Sequence, residues 1–556
     1  MDKNTTKEEN ILAQASILMV AGIITRIIGV LYRSPLTSIL GDEGNGYYGL
    51  AVNIYTMLLL ISSYSIPMAV SKVVSSKLAL HQYRNAHKVF RCALLYVLIV
   101  GGVVSLFTFF GASLLIPSNQ TKAIPVLRIL APTIFFSGFL GVFRGYFQAH
   151  GTMIPTSLSQ IIEQIINAVV SIGAALLFIH LFAGNDSGKI PVFGAMGSAA
   201  GIGAGVISGL LFVLFIYLCN KKVLNRRLSR DDSGTDSSYK DIFRIIFSMV
   251  TPVILSTLVY NISTVVDQTL FMDIMDFKKV KSELAAELYG VFSGKYTVLI
   301  NVPIALANAM STAMIPAISS TYTLKNYKKC NAHVKKAIHF TMLISIPAAI
   351  GMGVMAYPIM EVLFPQRATI DLAVRLLRAG CLSIVFYSLS TVSNGVLQGI
   401  GKVNIPLRNA AVSLVIHVAV LTPMLLLTNL DLYALVFATM IYAFVMCLLN
   451  NLAVRKYLGY RQEMRRTFLL PLISSVIMGI LCYVFYQGFY TILSVIAGNF
   501  IHLRIRVFLC LMVSILFAAI VYFILELKLK GITEKELREF PKGNLLVRIA
   551  RNCKLL

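Results

Sequence analysis

Residues 11–33, ILAQASILMVAGIITRIIGVLYR, decide how the chain is read. The run is long enough to cross a bilayer, which takes about 20 apolar residues. Yet Arg26 sits inside it and Arg33 closes it. A guanidinium at the centre of a membrane helix costs about 2.5–3.5 kcal/mol on insertion scales, so it needs a partner, water or a ligand. Seven residues are nearly two helical turns, so Arg26, Gly29 and Arg33 share one face, with the charges about 10 Å apart along the axis. That face predicts a wet cavity that offers positive charge to something anionic.

The rest of the chain has the same character. Of its 556 residues, 57% are hydrophobic and 13% charged, against about 25% charged in soluble domains. Apolar runs recur from end to end and predict fourteen spans, near 11–33, 47–70, 90–116, 125–148, 153–182, 190–219, 242–272, 288–318, 335–364, 372–399, 403–428, 430–454, 467–490 and 504–528. The expectation is an all-α integral membrane protein of about 14 transmembrane helices. The net charge of +25 is concentrated in the connections after even-numbered spans, such as Lys72, Lys77, Arg84, Lys88 and Arg91, or Arg455, Lys456, Arg461, Arg465 and Arg466. Connections after odd spans are poorer in Lys and Arg. By the positive-inside rule both termini are cytoplasmic, in a plasma membrane. Attraction to anionic membrane lipids covers most of the charge, and nucleic acid is excluded as a partner. The eight cysteines are scattered without a CxxC, so neither a disulfide framework nor a zinc site is expected.

The chain contains itself twice. Asn85-Ala-His87 returns as Asn331-Ala-His333, Leu127-Arg128 as Leu377-Arg378, and Gln148-Ala-His-Gly151 as Gln398-Gly-Ile-Gly401, at nearly constant offset. Spans 1–6 and 7–12 therefore read as two parallel six-helix repeats, a transporter design with its binding site between the halves. The division expected is an N-lobe at 1–219, a polar cytoplasmic linker at 220–241, a C-lobe at 242–456, two extra helices at 457–528 and a basic tail at 529–556. The end of that tail, KGNLLVRIARNCKLL, reads either as an amphipathic helix on the inner surface or as a floppy tail.

Polar residues inside the spans form stripes. Gln160, Glu163, Gln164 and Asn167 follow i, i+3, i+4, i+7 on span 5. Thr257, Asn261, Thr264 and Gln268 do so on span 7, beside Asp267, and Lys295 precedes Asn301, Asn308 and Thr312 on span 8. Amides and hydroxyls commonly just hold helices together, whereas Arg26, Glu163, Asp267 and Lys295 need water, a ligand or one another; Arg26 with Glu163 is one such pairing. Gly197, Gly201, Gly203, Gly205 and Gly209 read as a helix-packing stripe. There is no Walker A loop, HExxH or GxSxG, so the chain is not expected to be an enzyme and has no organic cofactor. Uphill work would draw on ions, the membrane potential or substrate gradients.

The arginine-bearing first span and the duplicated lobes plus two helices resemble a known family. Its features lie in TRIIGVLYRSPL (25–36), SIPMAVSKVVSSK (65–77), GYFQAHGTMIPTSLSQIIEQI (145–165) and YGVFSGKYTVLINVPIALANAMSTAMIPAIS (289–319). Over essentially its whole length the chain resembles the MurJ-like lipid II flippases and the stage V sporulation protein B group of the multidrug/oligosaccharidyl-lipid/polysaccharide exporter superfamily, which includes MATE transporters. The resemblance implies alternating access through a central cationic cavity, with a polyprenyl-pyrophosphate-linked sugar as substrate and cell-wall synthesis machinery as a candidate partner. It matches Arg26 and Arg33 to the family's span 1 arginines, the second spaced one residue further, and places Lys295 where the family has a span 8 arginine. The family's span 2 arginine has no counterpart; Lys72 is a substitute. Glu163, Gln164, Asn53 and Asn301 complete the expected substrate-binding set. A sodium site known in some relatives would here use Asp267, Asn409 and Ser413, where Ser replaces an acid. The lipid tail would lie in a groove formed with spans 13 and 14.

Two further functions are weighed against flipping. A drug or metabolite antiporter of the same superfamily would want an acid-dominated cavity, and Arg26, Arg33 and Lys295 outweigh Glu163 and Asp267. A membrane glycosyltransferase would need a carboxylate cluster in a water-facing loop, and only Asp42, Glu43 and the 273–287 segment offer one.

Overall fold

The computed structural model describes residues 3–60, 62, 66–184, 186–229, 231, 238–364, 366–497, 502–539 and 543–553. Among these there is helix and no strand. This is the only way to satisfy backbone polar groups in lipid short of a closed barrel. Among the described residues ten helices are long and apolar enough to cross a membrane, or eleven if one bent pair counts as a single span. All fourteen expected stretches fall largely on helix. The described chain divides into two compact units, Met1–Gly294 and Lys295–Leu556.

In the first unit, α1 (Lys3–Leu59) runs through the first expected span and into the second. The expected connection at 34–46 is therefore helical. Only Gly41 leaves the helical region, at φ 67° and ψ 178°, values open to a residue without a Cβ. The neighbouring glycines serve packing: a Cβ on Gly46 would lie 2.0 Å from the Ala286 carbonyl oxygen, and one on Gly290 1.9 Å from that of Asp42. After α2 (Ile66–Ala79) come α3 (Tyr83–Phe110), α4 (Ile124–Ala149), α5 (Ile154–Phe178) and α6 (Ile190–Ser229). The α6 glycines form the packing stripe read from the sequence, with Gly201 set against Ser171 and Gly205 against the Glu163 carbonyl on α5. Helix α6 also runs ten residues into the expected linker; positions 230 and 232–237 of that linker lie outside the described residues. The first unit closes with α7 (Tyr239–Phe277) and α8 (Ser282–Val291).

The second unit holds α9 (Thr297–Thr323), α10 (Tyr327–Val354), the short α11 (Ala356–Leu363), α12 (Arg367–Gly380), α13 (Ser383–Gly399), α14 (Asn404–Leu427) and α15 (Leu432–Leu458). Then follow α16 (Leu470–Ala497) and α17 (Leu503–Lys528). The repeat is visible in the turns. Gly151 after α4 and Gly401 after α13 adopt φ 76° and 77°, each N–H reaching back three residues, to the Gln148 and Gln398 carbonyls. His81 and Lys325, before α3 and α10, sit at φ 58° and 56° in a second matched turn. The tail is not floppy. Two short helices, α18 (Glu534–Glu539) and α19 (Gly543–Asn552), dock Leu537, Val547 and Ala550 against Leu343 and Leu527.

Candidate functional site

The polar faces read on spans 1 and 5 meet in the first unit. A Cβ on Gly29 would stand 3.3 Å from Gln164 Nε2, so the arginine-bearing face of α1 passes directly over the amide stripe of α5. Arg33, half-buried, lays its guanidinium over the Tyr48 ring, 5.0 Å from the centroid, on the far side of the Gly41 kink. A cation on an aromatic face is held without losing its charge to a carboxylate. Arg26 is exposed and makes neither an ion pair nor a hydrogen bond with the described residues.

Glu163 pairs not with Arg26 but with Arg144 on α4: Arg144 Nη2 stands 2.7 Å from Glu163 Oε2, and its Nε donates to Ser159 Oγ at 2.9 Å. The acid on the stripe is thereby neutralised from within the helical bundle and does not offset Arg26 or Arg33. Arg144 was not among the residues expected at the site, although an arginine that far inside the apolar run 125–148, sixteen residues past Arg128, is itself a signal. Deeper in the unit, Asn53 Nδ2 donates to Gln268 Oε1 at 3.0 Å and to the Tyr289 hydroxyl at 2.9 Å. Gln268 Nε2 donates to the Leu50 carbonyl at 3.3 Å, and Asp267 beside it is buried. Asn53 thus ties α1 to α7 and α8. Lys72 on α2 is exposed and its ammonium has no partner among the described residues. The side chains of Thr257 and Thr312 lie outside the described residues.

In the second unit, Lys295 is 1% exposed and donates to Thr369 Oγ1 on α12 at 2.7 Å. It sits in a π turn, Phe292–Tyr296, where the chain takes an extra residue per turn. Such turns recur at functional sites because they redirect one side chain out of the helical register. Asn301, less than two turns on, is exposed. Asn409 is buried and donates to Asn450 Oδ1 at 2.9 Å, and Asn450 donates to Asn394 Oδ1 at 2.7 Å. Ser413 donates to the Asn409 carbonyl at 2.8 Å. This amide ladder joins α13, α14 and α15. No group of three or more His, Cys, Asp or Glu suited to a metal ion occurs among the described residues.

A bundle of apolar helices with cations on a polar inner face is the architecture of a multi-pass membrane transporter. A family model described as "Polysaccharide biosynthesis protein" matches residues 11–322, and one described as "MatE" matches residues 296–422. The chain belongs to the polysaccharide biosynthesis protein family, within the superfamily that also holds the MATE transporters. It is 24% identical over 478 residues to the lipid II flippase MurJ of Bacillus subtilis, covering 84% of this chain and 86% of that protein. It is also 24% identical over 365 residues to stage V sporulation protein B of the same organism, covering 64% and 67%. Among solved structures, lipid II flippase MurJ in an inward closed conformation superposes with a TM-score of 0.63 at 17% identity, covering 92% of this chain and 97% of that one. An inward-facing MATE multidrug transporter gives 0.64 at 16% identity, covering 80% and 98%. MurJ is described as a flippase and the MATE protein as a transporter, neither as an enzyme.

Proposed function

We propose that this protein flips a polyprenyl-pyrophosphate-linked cell-wall precursor, lipid II in the first instance, across the plasma membrane by alternating access. The observation that carries the reading is the pairing of Glu163 with Arg144, which leaves Arg26 and Arg33 as uncompensated cations on a polar helix face. A pyrophosphate brings two or more negative charges, and guanidinium forks match phosphate oxygens in a bidentate way. The amides of α5 would replace water around the sugars. Lys295, held by Thr369, would supply a point charge, and Asn301 on the same helix a further polar group. The topology proposed has both termini in the cytoplasm, six-helix lobes within 1–219 and 242–456, and α16 and α17 beside the lipid tail. Of the three sodium candidates only Asp267 is an acid, Asn409 is engaged in the α13–α15 ladder and Ser413 bonds back to its own helix, which favours the membrane potential as driving force.

The test is rescue of a bacterium depleted of its own lipid II flippase, scored by growth and by externally accessible lipid II. The wild type should rescue. Arg26→Ala and Lys295→Ala should fail at normal membrane levels. A well-folded wild type that does not rescue would refute lipid II as substrate; a fully active Arg26→Ala would refute the cationic face.

A further inference from the structure

At the end of the second unit opposite its basic loops, α10, α11, α12 and α16 enclose a cavity of about 450 Å³ lined by Tyr357, Asp371, Arg375, Arg378, Tyr483 and Gln487 among others. Arg367, Arg375, Arg378, Arg504 and Arg506 gather at this end, where the positive-inside rule disfavours them and each requires a reason. Two have one within the protein. Arg504 donates twice to the Val362 carbonyl, at 2.9 and 2.6 Å, and Arg506 lies over the Tyr490 ring, 4.9 Å from its centroid, while donating to its hydroxyl. Arg375 and Arg378 do not. They are exposed, one turn apart on α12, and their side chains make no ion pair or hydrogen bond with the described residues. With Asp371 one turn earlier in the lining, and Glu361 and Arg367 immediately beside its tyrosines, the site carries a net charge of +1. Below the cavity, α16 continues as an apolar exposed face through Ile480, Ile477, Val476 and Ile473.

We infer that this cavity binds the phosphodiester headgroup of an anionic phospholipid, with Arg375 and Arg378 on the phosphate and the acyl chains along α16. The net charge of +1 matches a singly charged phosphodiester. Two guanidiniums a turn apart suit its two free oxygens, and the tyrosines belong at headgroup depth. The leaflet concerned, the outer one, rests on the topology proposed above; the binding itself does not. The occupant would bear on the helix that holds Lys295, because Thr369 lies on the buried face of α12 and the two arginines on its exposed face.

Native mass spectrometry of the full-length protein in detergent tests this with phosphatidylglycerol, diacylglycerol and inorganic phosphate as probes. Phosphatidylglycerol should add one tightly held molecule that diacylglycerol does not match. Arg375→Gln with Arg378→Gln should weaken that adduct about tenfold, the loss of one to two charge-assisted hydrogen bonds. Arg375→Lys with Arg378→Lys should retain most of it, and Arg461→Gln with Arg465→Gln in the basic loop all of it. Equal lipid binding by the Gln pair and the wild type would overturn the site. Inorganic phosphate displacing the lipid at equal concentration would overturn the lipid as its occupant.

Discussion

Arg144 on α4 and Glu163 on α5 hold each other at 2.7 Å inside the first unit, their side chains 14% and 29% exposed. Removing either partner strands the other in a partly desolvated site, at about 1–3 kcal/mol. Arg144→Ala should lower the melting temperature of the detergent-solubilised protein, and Glu163→Ala should do likewise. The two losses should not add in the double variant, because the second removal deletes an already unpaired group. Additive losses would mean that the pair contributes nothing as a pair. The contact is also why the acid on the stripe is not available to cancel Arg26.

Glycines on neighbouring helices should respond in opposite senses to the same substitution. On α6 a Cβ at Gly201 would lie 2.1 Å from Ser171 Oγ and 2.5 Å from the Ser171 nitrogen, so Gly201→Ala must push the helices apart. Overpacking of this kind costs about 1–3 kcal/mol. On α5 a Cβ at Gly173 would meet nothing within 4 Å, so Gly173→Ala should stabilise by up to about 1 kcal/mol through helix propensity alone. Thermal unfolding followed by fluorescence-detected size exclusion separates the two. A stabilising Gly201→Ala would disprove the close α5–α6 approach.

The sequence reading captured what periodicity and repetition encode. The helices, the duplicated turns at Gly151 and Gly401, and the glycine stripe on α6 were legible because each leaves a mark at fixed spacing. The faces of α1 and α5 were legible for the same reason, whereas the approach of Gly29 to Gln164 emerges only from the fold. What spacing does not encode is which stripe residue meets which distant one. Glu163 took Arg144 rather than Arg26, and Lys295 took Thr369, because side-chain pairing depends on helix rotation and on a π turn that no local pattern announces. Residues 34–46 fell between two expected spans because they are less apolar, and here they stay helical except at Gly41, with Gly46 set tightly against Ala286.

The tail should loosen in acid. Glu534 on α18 accepts from Arg538 at 2.7 Å and from Arg551 on α19 at 2.8 and 3.0 Å, and these guanidiniums hold its carboxyl below the ordinary carboxylate range. A depressed folded value means that the contribution is present above the unfolded value of about 4.3 and is lost as pH falls through the folded one. Hydrogen exchange over residues 543–552, corrected for intrinsic rate, should therefore rise on going from pH 7 to below pH 4. Glu534→Gln should show the faster exchange already at pH 7. Identical exchange in the variant and the wild type at neutral pH would mean that the apolar contacts of Val547 and Ala550 alone hold the tail.

Lys295 and Thr369 set a last test, one that separates holding a cation in place from filling space. The ammonium is 1% exposed and the threonine hydroxyl accepts from it at 2.7 Å. Thr369→Val keeps the shape and removes the acceptor, leaving a buried charge one hydrogen bond short at a cost of about 1–3 kcal/mol. Thr369→Ser keeps the acceptor and loses a methyl, about 1 kcal/mol. In rescue of a flippase-depleted strain, Thr369→Ser should support growth and Thr369→Val should support it poorly at equal membrane abundance. The melting temperatures should fall in the same order. Equal behaviour of the two variants would show that Lys295 owes its position to the π turn and not to the hydroxyl.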